Sequence, residues 1–326
     1  MKKYLSFILI VTVLISCRKG EDDKIDGPDL YDVYGDFGIL TTLSASQTSV
    51  DFAGGQDVYF NCELTKIVDW ELTITGQISG SQKIISGTSK VLDEVNTLWN
   101  GSTTYFPIFR AETCDIMLSF EGETDTLLTT VIIDQPKVNS GFVVADFESG
   151  WNNSWSTFIQ SGANMDFSIK TNGAAPQNDG YYNMQGTVNW DWLIGLIDFN
   201  ASAYGETTLP LSSNGDNLYF NALVYGESGL PNTLAQFRFD EDENEDGSFD
   251  VQSEDQYSYE FPIDWEGWRL ISIKYSDLDG GGNGNGNFDP DKLNKVSFLH
   301  LADPSSGFAK SGLDYIIFTE NAPLQP

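Results

Sequence analysis

The sequence predicts an all-β protein, and three observations carry that prediction. Runs of Val, Ile, Thr, Phe and Tyr alternate with polar residues at the two-residue period of a half-buried strand. Aromatic residues make up 13% of the 326-residue chain and glycine is abundant with 31 copies, which supplies both β-formers and turns. Ala, Leu and Lys, the residues that build helices, are sparse. The length allows two domains of ordinary size.

The chain opens with Met1-Lys2-Lys3 and an apolar run from Tyr4 to Ile15, too short to span a bilayer as a stable helix and patterned as a signal peptide. It closes on Leu14-Ile15-Ser16-Cys17, which resembles the lipobox of bacterial lipoproteins. The resemblance implies acylation of Cys17 and an outer-membrane lipid anchor. Residues 18–36, rich in Asp, Glu, Lys and Gly, have no apolar period and are expected to be a flexible acidic tether. An acidic cluster just after the acylated cysteine resembles the export signal of surface-displayed lipoproteins in Bacteroidetes-type bacteria.

Residues 37–136 contain about seven short strand-like runs, the pattern of a sandwich. Val58, Phe60, Cys62 and Leu64 share one strand face, and Trp70, Leu72 and Ile74 share another. Trp99-Asn100-Gly101 reads as a turn that opens a strand. The order Cys62, Trp70, Cys114 is similar to that of immunoglobulin domains, with the tryptophan closer to its cysteine than usual. Both cysteines fall on inward faces. A disulfide in an oxidising compartment and two separately buried thiols both fit. Nothing in this half looks catalytic, and a spacer is the expected role.

Asp134 to Gly141 holds Pro, Gly and polar residues ahead of a fresh apolar run and is the expected boundary. From Phe142 onward the strand-like runs include an Asp146-Phe147-Glu148 opening, Gly267-Trp268-Arg269-Leu270, and Leu313-Asp314-Tyr315-Ile316 near the end. In that order they resemble the galactose-binding-like β-jelly-roll of carbohydrate-binding modules. The whole chain looks like the surface glycan-binding lipoproteins of Sus-type polysaccharide-uptake systems. That resemblance implies an immunoglobulin-like sandwich (37–136) followed by a jelly-roll (141–326), and an outer-membrane uptake complex as partner. It also implies a structural calcium held between first and last strands by Glu148 and Asp314, with Asp146 a weaker candidate.

A second calcium signal is local. In Asp242-Glu243-Asn244-Glu245-Asp246-Gly247-Ser248-Phe249-Asp250, the oxygens of Asp242, Asn244, Asp246 and Asp250 fall at the spacing of an EF-hand-type loop, with Gly247 at the sharp turn. Ser253 stands where a bidentate Glu normally closes such a loop, so Glu254 or Asp255 would have to substitute. A solvated acidic hairpin tip is the alternative. Asp279 to Asn287, rich in Gly and Asn, lacks the lysine and context of a phosphate loop and reads as a flexible insertion.

With 48 Asp and Glu against 17 Lys and Arg, the net charge of −31 disfavours nucleic acid and polyanions and suits a neutral ligand. The one histidine, His300, alternates with an apolar strand set, which argues against histidine catalysis. Sugar rings offer apolar C–H faces and a hydroxyl rim, so they are bound by exposed aromatic planes beside polar side chains. Trp190, Asp191 and Trp192 put two indoles on one strand face. Trp151 and Trp155 flank a polar loop, and Tyr181 and Asn183 lie just upstream of the Trp190 strand. Core packing is the alternative for each, and Trp265 and Trp268 are assigned to the core. The expected function is noncatalytic capture of a neutral polysaccharide, with a β-glucan as one example. A jelly-roll glycoside hydrolase, which needs two carboxylates across a cleft, and a calcium-stiffened structural or adhesion protein are the alternatives.

Overall fold

The computed structural model describes residues 35–188, 192–227, 230, 233–302 and 307–325. The leader, Cys17 and all but the end of the tether lie outside the described residues, as do Trp190 and Asp191. Among the described residues no helix is long and apolar enough to cross a membrane.

The first half contains strands β1 (Ile39–Ala45), β2 (Ser49–Asp51), β3 (Phe60–Gly76), β4 (Gln82–Leu92), β5 (Thr113–Phe120) and β6 (Thr126–Gln135), with one helical turn, α1 (Glu94–Thr97), after β4. Their order is β1-β3-β5-β6-β2, with β4 also on β3. The long β3 organises this immunoglobulin-like sandwich. Its beginning pairs with β1 and its end with β5, and a register shift between Glu63 and Val68 lets the strand bend between them. Val58, Phe60, Cys62, Leu64, Trp70, Leu72 and Ile74 are all buried in one core, as their alternation predicts. Gly87 of β4 makes room for Trp70: a Cβ there would lie 2.5 Å from the indole Cζ2.

Of the two states that fit the cysteines, the structure shows Cys62 and Cys114 as free buried thiols, and one expectation for this half, at Trp99, is corrected. Cys114 is in register with Gly76 at the end of β3, whereas Cys62 sits near its start and donates to the Thr41 carbonyl at 3.2 Å. Burial pushes the Cys62 thiol up to about 11, so it stays protonated and unreactive. Trp99 opens no strand. It makes an isolated bridge to Val58 and is buried edge-on between Phe52 (4.8 Å) and Phe109 (5.0 Å).

The second half is a two-layer jelly-roll. Its strands are β7 (Phe142–Ala145), β8 (Ser156–Ile159), β9 (Asn164–Lys170), β10 (Tyr181–Val188), β11 (Trp192–Asn200), β12 (Leu218–Gly226), β13 (Thr233–Glu241), β14 (Gln256–Pro262), β15 (Gly267–Lys274), β16 (Asp279–Gly280), β17 (Leu293–Ala302) and β18 (Gly307–Glu320). One sheet runs β15-β12-β18-β10-β9, with β7 on β18, and the other runs β16-β14-β13-β17-β11-β8. The opening strand thus pairs with the closing one. Between the layers Phe220 meets Phe237 at 4.6 Å and Phe239 at 5.0 Å. Such edge-to-face contacts add to the hydrophobic gain of burial.

His300 is a core residue. Its Nδ1 lies 2.7 Å from the Ser311 hydroxyl, and burial lowers its pKa from 6.5 to about 3. The ring is therefore neutral at physiological pH.

The two halves touch. Ile108 sits in an apolar cluster with Leu223, Tyr315, Ile317 and Leu324. Its N–H donates to the Pro176 carbonyl at 2.7 Å, and Arg110 pairs with Asp179 at 2.9 Å.

Candidate functional site

The segment after β7 turns sharply, because Phe147 has a positive φ of 60° and Gly150 one of 77°. That path brings Trp151 and Asn152 back over Asp146. Asn152 then shapes the next turn: its Oδ1 accepts from Ser154 N at 3.0 Å and its carbonyl accepts from Trp155 N at 3.0 Å. The resulting cavity, about 510 Å³, is lined by Val143 to Asp146, Ser149 to Asn152, Trp155 and Tyr204. Aromatic planes and carboxylate or amide oxygens therefore meet in one concavity, the composition that a polyhydroxylated ring requires.

Trp151 is 44% exposed, whereas Trp155 is buried as the cavity floor. The two indoles are perpendicular at 5.8 Å, and Trp155 is braced edge-on by Phe199 at 5.3 Å and Phe147 at 5.5 Å. Trp151 is thus held on a rigid base while much of its surface stays open. Tyr204 donates its hydroxyl proton to the Val144 carbonyl. Burial, reinforced by the nearby Asp146 charge, raises its pKa well above the ordinary phenol value, so it remains a neutral wall.

The carboxylates expected to hold calcium each accept from backbone N–H groups; Asp146 lines the cavity, whereas Glu148 and Asp314 do not. Glu148 Oε1 accepts from Gly180 N at 2.8 Å and Asp179 N at 3.1 Å, and the Asp146 Oδ1 accepts from Glu148 N at 3.2 Å. Asp314 is fully buried; its oxygens accept from Tyr315 N at 2.7 Å and Gln177 N at 3.3 Å. Burial, offset in part by those N–H donors and reinforced by the Glu148 charge, pushes Asp314 well above the usual carboxylate range. Glu148 is raised too, again chiefly by burial. Gln177 Oε1 is buried without a partner. Glu148 and Asp314 are oxygen donors of the kind calcium takes, but Asp146, Glu148 and Asp314 do not bring their ligand oxygens within 4.8 Å of one another as a group.

The acidic loop is also built, though not quite as its spacing suggests. Asp242 is fully buried and accepts from Asp246 N (3.1 Å) and Gly247 N (2.7 Å). Asn244 Oδ1 accepts from Asp246 N, and Asp250 Oδ1 from Gln252 N. Glu254, not Asp255, closes it, taking Asn244 N on one oxygen and Asp250 N on the other.

Trp190 and Asp191 lie outside the described residues, and Tyr181 and Asn183 do not line this cavity. Tyr181 and Asn183 are buried, which corrects their assignment as binding residues. They face outward from β10 because Tyr182 and Met184 take the core side. There they join a row in register across the sheet: Ser168, Asn183, Gly312, Tyr225 and Trp268. Gly312 lets three rings close over it, since a Cβ there would lie 3.0 Å from Tyr225 Cβ and 3.1 Å from Trp268 Cη2. Trp268 meets Tyr181 at 5.5 Å and Tyr225 at 5.4 Å, and its indole N–H donates to the Ala174 carbonyl at 2.7 Å. It packs, half-buried, against the core cluster on the outer face that receives Ile108. Trp265 packs on the core, stacked on Phe261 at 6.1 Å. Of Trp192 the structure describes the backbone, which opens β11 opposite Ala302.

No family model matches the chain and no curated protein does. Among solved structures it is similar to a family 11 carbohydrate-binding module from Clostridium thermocellum in complex with a β-1,3-1,4-mixed-linked tetrasaccharide, with 18% identity over 55% of this chain and 94% of that one and a TM-score of 0.38. It is also similar to a carbohydrate-binding module of the β-sandwich superfamily, with 11% identity, 87% and 98% coverage and a TM-score of 0.39. The K1 cleaved adhesin domain of Lys-gingipain from Porphyromonas gingivalis W83 gives 14% identity, 56% and 100% coverage and a TM-score of 0.34. Likenesses this distant transfer neither a ligand nor a residue role.

Proposed function

We propose that this protein is a noncatalytic surface lipoprotein that captures a neutral polysaccharide, with Trp151 as the stacking platform. The observation that carries this reading is the cavity itself. An exposed indole stands on a fixed aromatic base, and the Asp146 carboxylate and Asn152 amide lie within reach of a sugar's hydroxyls. A carboxylate accepts strongly from hydroxyl donors, and a neutral ligand does not meet repulsion from the chain's negative charge.

In this reading Cys17 carries the lipid anchor and the first half is a spacer, with an outer-membrane uptake complex as the downstream partner. Calcium bound through Glu148, Asp314 and the Gln177 amide oxygen would neutralise these carboxylates and fix the turn that presents Trp151. A second calcium in the Asp242 to Asp250 loop, closed by Glu254, would be structural. A β-glucan is the example polymer to test first.

The test is affinity electrophoresis of the chain lacking only residues 1–17 in gels containing mixed-linkage β-glucan, xyloglucan or xylan, with and without chelator. Retardation without release of reducing ends supports capture. Release of reducing ends replaces capture with hydrolysis, and mobility unchanged in every gel leaves the structural or adhesion reading.

A further inference from the structure

The glycine- and asparagine-rich segment after β16 is not a loose insertion. It wraps a second group of carboxylates. Asp255 Oδ1 accepts from Gly282 N at 2.7 Å and Gly284 N at 3.2 Å, while Oδ2 accepts from Gly286 N at 2.6 Å. Glu243 Oε1 accepts from Asn285 N at 3.0 Å. Glu241 Oε1 takes the Tyr275 hydroxyl at 2.8 Å and Asp289 N at 3.0 Å. Gly284 is required for this approach, since a Cβ there would lie 2.4 Å from Glu243 Oε1.

The acidic run, which turns after β13 ends at Glu241, is divided between two groups. Asp242, Asn244 and Asp246 belong to the loop closed by Glu254, whereas Glu241 and Glu243 meet Asp255 in a separate group. One oxygen from each of these three acids lies within 4.8 Å of the other two. Glu241 and Asp255 are fully buried, and Glu241 Oε2 is buried with no partner. Neighbouring cations are engaged elsewhere: Lys295 and Arg238 with Asp240, Lys292 with Glu245. Among the described residues no ion pair reaches Glu241, Glu243 or Asp255.

Three clustered carboxylates repel one another, and burying them is costly unless each charge is compensated. The loop's N–H groups satisfy Asp255 and one oxygen of Glu241, which leaves Oε2 facing no donor. We propose that Glu241, Glu243 and Asp255 form a divalent-cation site of the calcium class, separate from the Asp242 to Asp250 loop. The set is all oxygen, with no thiol or imidazole, which selects a hard ion. The bound ion ties the Gly/Asn segment to the ends of β13 and β14.

Isothermal titration of chelator-treated protein with calcium chloride, and separately magnesium chloride, tests this, alongside proteolysis of the segment 279–289. Glu243→Gln is expected to lose one calcium equivalent and the at least tenfold protection that calcium gives the segment. Asp246→Ala, on the other loop, is expected to keep that protection. Glu241→Gln replaces one of the three converging carboxyl groups, so it should abolish calcium-dependent protection. If Glu241→Gln does not fold, Glu243→Gln decides. The proposal is overturned if Glu243→Gln binds calcium with wild-type stoichiometry and affinity, or if calcium leaves the wild-type segment as cleavable as chelator does.

Discussion

The jelly-roll carries two aromatic clusters of similar chemistry, and they have opposite fates. At the mouth of the β7 turn, Trp151 stands on Trp155 with nearly half its surface open beside a cavity. On the outer face of the β9 to β15 sheet, Tyr181, Tyr225 and Trp268 lean on one another over Gly312, and the Trp268 N–H is already committed to Ala174. An aromatic residue binds a ligand only where its neighbours brace it without covering it. Counting tryptophans in the sequence cannot make that distinction.

The largest expected effect lies in the closed cluster. Trp268→Ala removes both ring contacts and the indole hydrogen bond, a loss of roughly 3 kcal/mol of stability by the usual cost of truncating a packed aromatic. Urea denaturation should show it, and glycan affinity should not change. Affinity lost in step with Trp151→Ala would make the two clusters one site. For Trp151→Ala the roles reverse: on the order of 2 kcal/mol of affinity, about thirtyfold in Kd, should be lost at an exposed stacking residue. Its denaturation midpoint should stay near wild type, and a Kd unchanged in titration calorimetry would remove the cavity as the binding site. Asp146→Asn keeps the shape but weakens a charge-assisted acceptor, so about 1 kcal/mol is expected in the same titration.

A separate effect is a pH dependence in the core. His300 has a folded pKa of about 3 against an ordinary 6.5, so the unfolded chain binds the proton more readily. Stability from this residue is therefore complete above pH 6.5 and falls as the pH drops toward 3. His300→Gln should flatten that part of the stability profile, measured by denaturant midpoints at pH 7 and pH 5. Midpoint differences identical to those of wild type would mean that His300 is not buried neutral.

The all-β class was legible because strand period is a local property. Phe60, Cys62, Leu64, Trp70, Leu72 and Ile74 alternate in the sequence and are all buried in the structure. Pairing partners were not local, and so the sequence left the disulfide and the free thiols both open: which end of β3 faces Cys114 depends on register with β5. The site was half legible. Trp151 and Trp155 stood out as indoles in a polar loop, and the structure places both at the cavity. Tyr181 and Asn183 looked equally suitable, but their burial follows from rings contributed by β12 and β15, far away in the chain. Asp242, Asn244 and Asp246 announced themselves by spacing. Glu241, Glu243 and Asp255 did not, because most of their partners are backbone N–H groups of the distant 282–289 segment, which carry no side-chain signature.

The contact made by Ile108 and Arg110 has a consequence for how the molecule is handled and how it is loaded. The junction around Asp134 to Gly141 has the composition of a hinge, yet the first half reaches past it to shelter Leu223, Ile317 and the edge of Trp268. Cutting the chain there would bare an oily strip and remove the brace of the segment around Asp179. A pull applied at the N-terminal end is therefore resisted by a splint of packed side chains as well as by the peptide link, and the cavity keeps a fixed heading relative to the first half.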